Sequence, residues 1–133
     1  MFSYMMIGTN DLARAISFYG AVMPVLGHAR IEDGDPLWAS WGLPDPGPHI
    51  TVGTPFDGGP ARPGNGMMIS FLVASRDLVD RFHAAALAHG GSDEGAPALR
   101  PHYGPNFYAG YVRDPDGNKL NAVCYAPQDA SPS

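Results

Sequence analysis

Apolar residues alternate sides from Phe2 to Gly8, with Met5 and Ile7 on one face and Tyr4 and Met6 on the other, which is the period of a β-strand. From Leu12 the period lengthens. Leu12, Ala15, Ile16, Tyr19, Val22 and Met23 recur at helical spacing until Gly27 stops the pattern. Asp11 stands where an N-cap carboxylate meets the free N–H groups of the first turn, so a helix is predicted from Asp11 to Leu26. Three short strands follow, His28 to Glu32, Pro36 to Gly42 and Pro48 to Thr54. They are separated by Asp33-Gly34-Asp35 and by Leu43-Pro44-Asp45-Pro46-Gly47. The order is βαβββ.

The second half repeats that order. Gly66 to Val73 reads as a strand with Met67, Ile69 and Phe71 on one face and Met68 and Ser70 on the other. Ser75 caps a helix predicted to His89, carried by Leu78, Val79, Phe82, Ala85 and Ala86 and closed by Gly90-Gly91. Three more strands follow, the last pair joined at Asp114-Pro115-Asp116-Gly117. Pro115 presets φ for a type I turn there, and Gly117 tolerates the left-handed position that closes a hairpin. The final strand is predicted from Asn118 to Tyr125. Sliding the chain along itself so that Asp11 meets Ser75 also lays Phe18-Tyr19 on Phe82-His83 and Gly27 on Gly91. A slightly larger slide lays Trp38-Ala39-Ser40-Trp41 on Tyr108-Ala109-Gly110-Tyr111, and Ile50-Thr51-Val52 on Leu120-Asn121-Ala122. This internal repeat divides one domain (1–125) into modules of about 1–55 and 66–125, with 56–65 as linker and 126–133 as an unstructured tail.

In the strands at the module ends one face is wholly apolar: Met5 and Ile7; Met67, Ile69 and Phe71; Leu120, Ala122 and Cys124. That face suits helix packing, so Cys124 is expected to be a buried, inert thiol, and the mixed face is left for a ligand. The fold class is α+β. Composition narrows the function. A chain of 133 residues with a net charge of -5, its eight basic residues scattered and only one of them lysine, has no electrostatic footprint for nucleic acid. No apolar run approaches the roughly 20 residues that span a bilayer, and no basic-then-hydrophobic leader opens the chain, so no membrane partner and a cytoplasmic location are expected. A single cysteine excludes a multi-thiolate zinc site within one chain.

The turn Asp114-Pro115-Asp116-Gly117-Asn118 before a short last strand, together with Asn10-Asp11-Leu12, Phe18-Tyr19 and Leu26-Gly27 near the start, resembles the vicinal oxygen chelate superfamily. That superfamily includes glyoxalase I, bleomycin-resistance proteins, fosfomycin-resistance enzymes and extradiol dioxygenases. The resemblance implies that the two βαβββ modules pair so that their sheets form one curved cup with the helices outside and the ligand within. It also implies four metal-ligand positions, usually His, Glu or Gln, which fall here on Tyr4, Thr51, Met68 and Asn121. A thioether is too soft for Zn²⁺, Ni²⁺, Mn²⁺ or Fe²⁺, and a neutral hydroxyl or amide too weak, so no metal and no other cofactor is expected. His49 is the alternate ligand if the register slips by a strand position. Superfamily members commonly dimerise, and half-cup edge strands invite pairing, so a homodimer is expected.

The cup list is Tyr4, Met6, Thr51, Met68, Ser70, Asn121 and Tyr125. To it the loop Arg100-Pro101-His102-Tyr103-Gly104-Pro105 adds Arg100, His102 and Tyr103, a cation, an imidazole and a phenol on a Gly/Pro-stiffened segment. Trp38, Trp41, Phe107, Tyr108 and Tyr111 divide between the two sheet faces. His83 and His89 sit on a helix outside the cup, His28 and His49 are surface imidazoles, and Glu32, Asp33 and Asp35 form an exposed acidic turn. No carboxyl pair is placed for acid-base work. Two functions remain open. One is a small-molecule binding protein of the bleomycin-resistance kind that takes an apolar or aromatic ligand without metal. The alternative is a lyase or dioxygenase-type enzyme, with metal held by other ligands or with Tyr4 and His102 as an acid-base pair.

Overall fold

Two matching passes of the chain build the protein, whose computed structural model describes residues 1–32 and 34–128. The first pass is β1 (Tyr4–Gly8), α1 (Leu12–Val25), β2 (Arg30–Ile31), β3 (Trp38–Gly42) and β4 (His49–Gly53). The second is β5 (Ile69–Leu72), α2 (Arg76–Ala88), β6 (Ser92–Leu99), β7 (Tyr108–Arg113) and β8 (Lys119–Cys124). They form two four-stranded sheets of equivalent order, β1-β4-β3-β2 and β5-β8-β7-β6, each with one parallel pair, β1 with β4 and β5 with β8. Both predicted caps are in place: Asp11 accepts from the Arg14 N–H at 3.0 Å and Ser75 from the Leu78 N–H at 3.3 Å. No helix among the described residues is long and apolar enough to cross a membrane.

Register explains the two faces. Pairing sets Trp41 beside Ile50 and Ala39 beside Val52 in the first sheet, and Ile69 beside Leu120 and Phe71 beside Ala122 in the second. These residues join Phe18, Tyr19, Val22 and Met23 of α1 and Val79, Phe82 and Ala86 of α2 in one core. Met67 departs from the expectation. It lies ahead of β5 and is exposed, because the chain is still turning: its N–H bonds Gly64 O and Gly66 holds φ +89°. β2 is also shorter than the predicted strand. Ala126 packs against the core, so the chain stays attached past β8, while residues 129–133 of the expected tail and Asp33 of the acidic turn lie outside the described residues. Cys124 is fully buried on the helix side, as the alternation requires. Its thiol is therefore expected to react with an aromatic disulfide reagent only after denaturant is added, and fast labelling of the native protein would contradict the face assignment.

The hairpin turn between β7 and β8 also joins the modules. Gly117 holds φ +93° and its N–H bonds Asp114 O at 2.9 Å. The buried Asp114 carboxylate accepts from Tyr19 Oη of α1 at 2.5 Å, from Asn118 Nδ2 at 2.9 Å, and from the N–H groups of Asp116 and Asn118 at 3.0 and 2.9 Å. Asp116 takes the Asn10 N–H and the Arg14 guanidinium, both at 2.9 Å, and the Thr9 hydroxyl. The residues that carry the family resemblance at the two ends of the chain thus touch one another.

Candidate functional site

On the sheet face turned away from α2, Ser70, Asn121 and Tyr111 lie in one row across β5, β8 and β7, since Ser70 pairs with Asn121 and Asn121 with Tyr111. Period-2 alternation puts Lys119 on the same face and Met68 at the strand entry. The row continues to Gly95 of β6, where the register breaks between Asp93 and Gly95 and again between Gly95 and Ala98. These bulges bend the edge strand, and Gly95 (φ +153°) leaves room where a Cβ would stand 3.2 Å from both the Arg100 guanidinium and the Tyr111 ring. Arg100 Nη2 donates to Ala96 O at 2.6 Å, and its guanidinium carbon lies 5.4 Å from the Tyr111 ring centre. Lys119 Nζ lies 5.7 Å from that same centre.

The loop after β6 folds back on itself through Arg100 N–H to Phe107 O (2.7 Å) and Tyr103 N–H to Arg100 O (2.9 Å). That fold lines up a run of rings. His102 meets Tyr103 at 4.1 Å, Tyr103 meets Phe107 at 5.2 Å, and Phe107 meets Tyr125 edge-on at 5.4 Å between centres. Together the row and the rings line an open cavity of about 710 Å³. Asn121 lines it at 1% exposure, with its Oδ1 buried and without a hydrogen-bond partner. Arg100 Nε is likewise buried and unpartnered. The one cavity carboxylate, Glu94, pairs with Arg113, and among the described residues neither Arg100 nor Lys119 has a carboxylate at ion-pair distance.

Of the residues singled out from sequence, Met68, Ser70, Arg100, His102, Tyr103, Asn121 and Tyr125 meet in this cavity. Three others do not. Tyr4 stacks on His49 at 5.3 Å and lines a smaller groove of about 230 Å³ between the modules. Met6 is exposed beside Met68 in a separate depression, and Thr51 is buried with its hydroxyl bonded to Ser40 at 2.7 Å. Tyr4 and His102 therefore line different cavities. Sequence reasoning missed Glu94, Gly95 and Lys119 and left Phe107 and Tyr111 unassigned. Tyr111 and Lys119 are recoverable by counting back through the Asp114 turn to Asn121. The aromatic residues divide as alternation demands: Trp41 lies 6.0 Å from Tyr19 on the helix side, and Tyr108 reaches Asp80 of α2. His83 also faces inward, buried against Asp93 at 2.9 Å, a packing role.

The four positions that the superfamily uses for metal do not fit one here. They offer a phenol, a hydroxyl already bonded to Ser40, a thioether and an amide, and only Met68 and Asn121 share a cavity. His49, the alternate, lies on the face of β4 opposite Ile50, but its Nδ1 is within 3.0 and 3.1 Å of Leu43 O and Gly47 O and its ring neighbour is Tyr4. Among the described residues no group of three or more His, Cys, Asp or Glu is placed to hold a metal ion. Dialysis against Zn²⁺, Ni²⁺, Mn²⁺ or Fe²⁺ is accordingly expected to leave no stoichiometric metal, and elemental analysis near one equivalent per chain would contradict this.

The family model of the glyoxalase/bleomycin resistance protein/dioxygenase superfamily matches residues 2–122. Among solved structures the chain is similar to a glyoxalase/bleomycin resistance protein from Albidiferax ferrireducens T118. The two are 36% identical over 96% of this chain and 99% of that one, with a TM-score of 0.82. A glyoxalase-related enzyme from Fulvimarina pelagi is 24% identical over 93% of this chain and 87% of that one, with a TM-score of 0.72. A glyoxalase/bleomycin resistance protein/dioxygenase family enzyme from Burkholderia phytofirmans PsJN is 20% identical over 93% and 98%, with a TM-score of 0.71. The last two likenesses speak for the fold alone. No curated protein matches the chain.

Proposed function

The chain belongs to the glyoxalase/bleomycin resistance protein/dioxygenase superfamily, and from that premise we propose that it is a small-molecule binding protein which holds a planar aromatic ligand without a metal ion. The observation that carries the proposal is the unpartnered Oδ1 of Asn121, buried in a ring-walled cavity. A buried acceptor without a donor costs about 1–3 kcal/mol, which a hydroxyl or N–H on a ligand recovers. The run Tyr103, Phe107 and Tyr125 presents faces and edges to a flat guest, and about 710 Å³ lies within the usual size of small-molecule sites. Glu94, the carboxylate that lines the cavity, is paired with Arg113.

Neither tryptophan lines the cavity, so binding is best followed through the ligand's own emission. Titration of 2-naphthol by fluorescence anisotropy is expected to saturate at one ligand per chain. A flat titration, or turnover of the ligand in place of binding, would set the proposal aside in favour of a lyase or dioxygenase-type enzyme. We extend the proposal to a homodimer, because Phe2, Tyr4, Met6 and Leu72 are all more than half exposed and a second copy would cover them. Light scattering that returned a monomer at micromolar concentration would remove that part.

A further inference from the structure

We infer that the cavity selects aromatic anions, drawing a carboxylate or phenolate to the positive charge of Arg100 and Lys119 while a hydroxyl or N–H on the same ring system donates to Asn121. The inference rests on the binding reading above and adds the chemical class of the ligand. Its basis is the charge left over in the cavity. The chain is acidic, with 13 Asp and Glu against eight Lys and Arg, so a basic side chain usually has a carboxylate at hand. Here Glu94 is paired with Arg113, and Asp93, two residues before Gly95, is engaged by His83 and by the Gly95 N–H at 3.0 Å, with the Arg100 charge the smallest of the influences that lower its carboxyl. Arg100 and the only lysine, Lys119, are left facing the same Tyr111 ring, 5.4 and 5.7 Å from its centre. Both side chains also line the cavity, where an anion gains a charge-assisted contact from each cation that it reaches.

The orphaned polar atoms support the same class. Arg100 Nε is a buried donor without an acceptor and Asn121 Oδ1 a buried acceptor without a donor, and both residues line this cavity. Among the described residues the one other such atom, Arg76 Nε, belongs to α2, where the guanidinium lies over Tyr108 on the other side of the sheet. A ring that bears an acid group next to a hydroxyl supplies the oxygen that one atom lacks and the hydrogen that the other lacks.

The test compares 1-hydroxy-2-naphthoate with its neutral carboxamide, which has nearly the same shape. The acid is expected to bind about tenfold tighter or better at low salt, with the advantage narrowing as ionic strength rises. The ratio of acid to amide affinity should fall several-fold in Lys119→Met and again in Arg100→Met. Lys119→Met keeps the test alive if the Arg100 variant fails to fold, since Lys119 sits at the strand start and its substitute keeps the chain length. Equal binding of acid and amide, or a ratio unchanged in Lys119→Met, would overturn anion selection and leave the binding reading standing. Failure of both compounds to bind would take down both.

Discussion

Replacing Asp114 by alanine is expected to cost about 3–5 kcal/mol of folding stability, because several buried donors lose their acceptor at once. The carboxylate is 4% exposed and accepts from the Tyr19 phenol, the Asn118 amide and two backbone N–H groups. Truncation strands a phenol of α1 in the core and loosens the turn that clamps the modules. The contact also has a pH signature. The Tyr19 phenol is pushed well above its ordinary value, first by burial and then by the Asp114 charge and hydrogen bond. A raised phenol contributes stability that is complete below about pH 10 and is lost as the pH rises past it, because the unfolded chain ionises there and the buried group does not. The alkaline loss should be shallower in Asp114→Ala, which lacks two causes of the shift, the carboxylate's charge and its hydrogen bond. Chemical denaturation at pH 7 and pH 10.5 measures both effects. A loss under 1 kcal/mol with an unchanged alkaline slope would show that the clamp is ornamental.

Substituting Asn121 by leucine should move stability and binding in opposite directions. Leucine has nearly the same shape and removes the buried oxygen that has no partner, so the free protein is expected to gain about 1 kcal/mol. The ligand loses its acceptor, and affinity for 1-hydroxy-2-naphthoate should drop about tenfold. A residue kept for packing would give the reverse, lower stability with unchanged affinity. The pair of readings separates a group retained for a ligand from one retained for the fold.

Much of this arrangement is legible in the sequence, because local chemistry and global fold agree. Asp11 and Ser75 cap the two helices as their side chains dictate, and alternation after the Asp114 turn places Cys124 in the core and Asn121 on the opposite face. Alternation misplaces Met67, because a period of two does not extend into a chain still turning at Gly66. Thr51 lies on the face opposite Ile50 and Val52, and its hydroxyl is consumed by Ser40, a cross-strand partner that alternation within one strand does not reveal. The approach of Arg100 to Tyr111 depends on two register shifts around Gly95, and bulges break the very period from which faces are read. Pairing of Glu94 with Arg113 leaves Arg100 and Lys119 without a carboxylate at ion-pair distance among the described residues, a contact between strands that alternation within one strand does not reveal.

Calorimetric titration of the chelator-treated protein with 1-hydroxy-2-naphthoate and with an S-alkyl glutathione adduct separates metal-free binding from metal-dependent chemistry. One naphthoate is expected to bind per chain, with the same affinity before and after metal removal, and the glutathione adduct is expected to give no heat. Binding that vanished with the chelator and returned with a divalent cation, or binding of the glutathione adduct alone, would contradict the proposal.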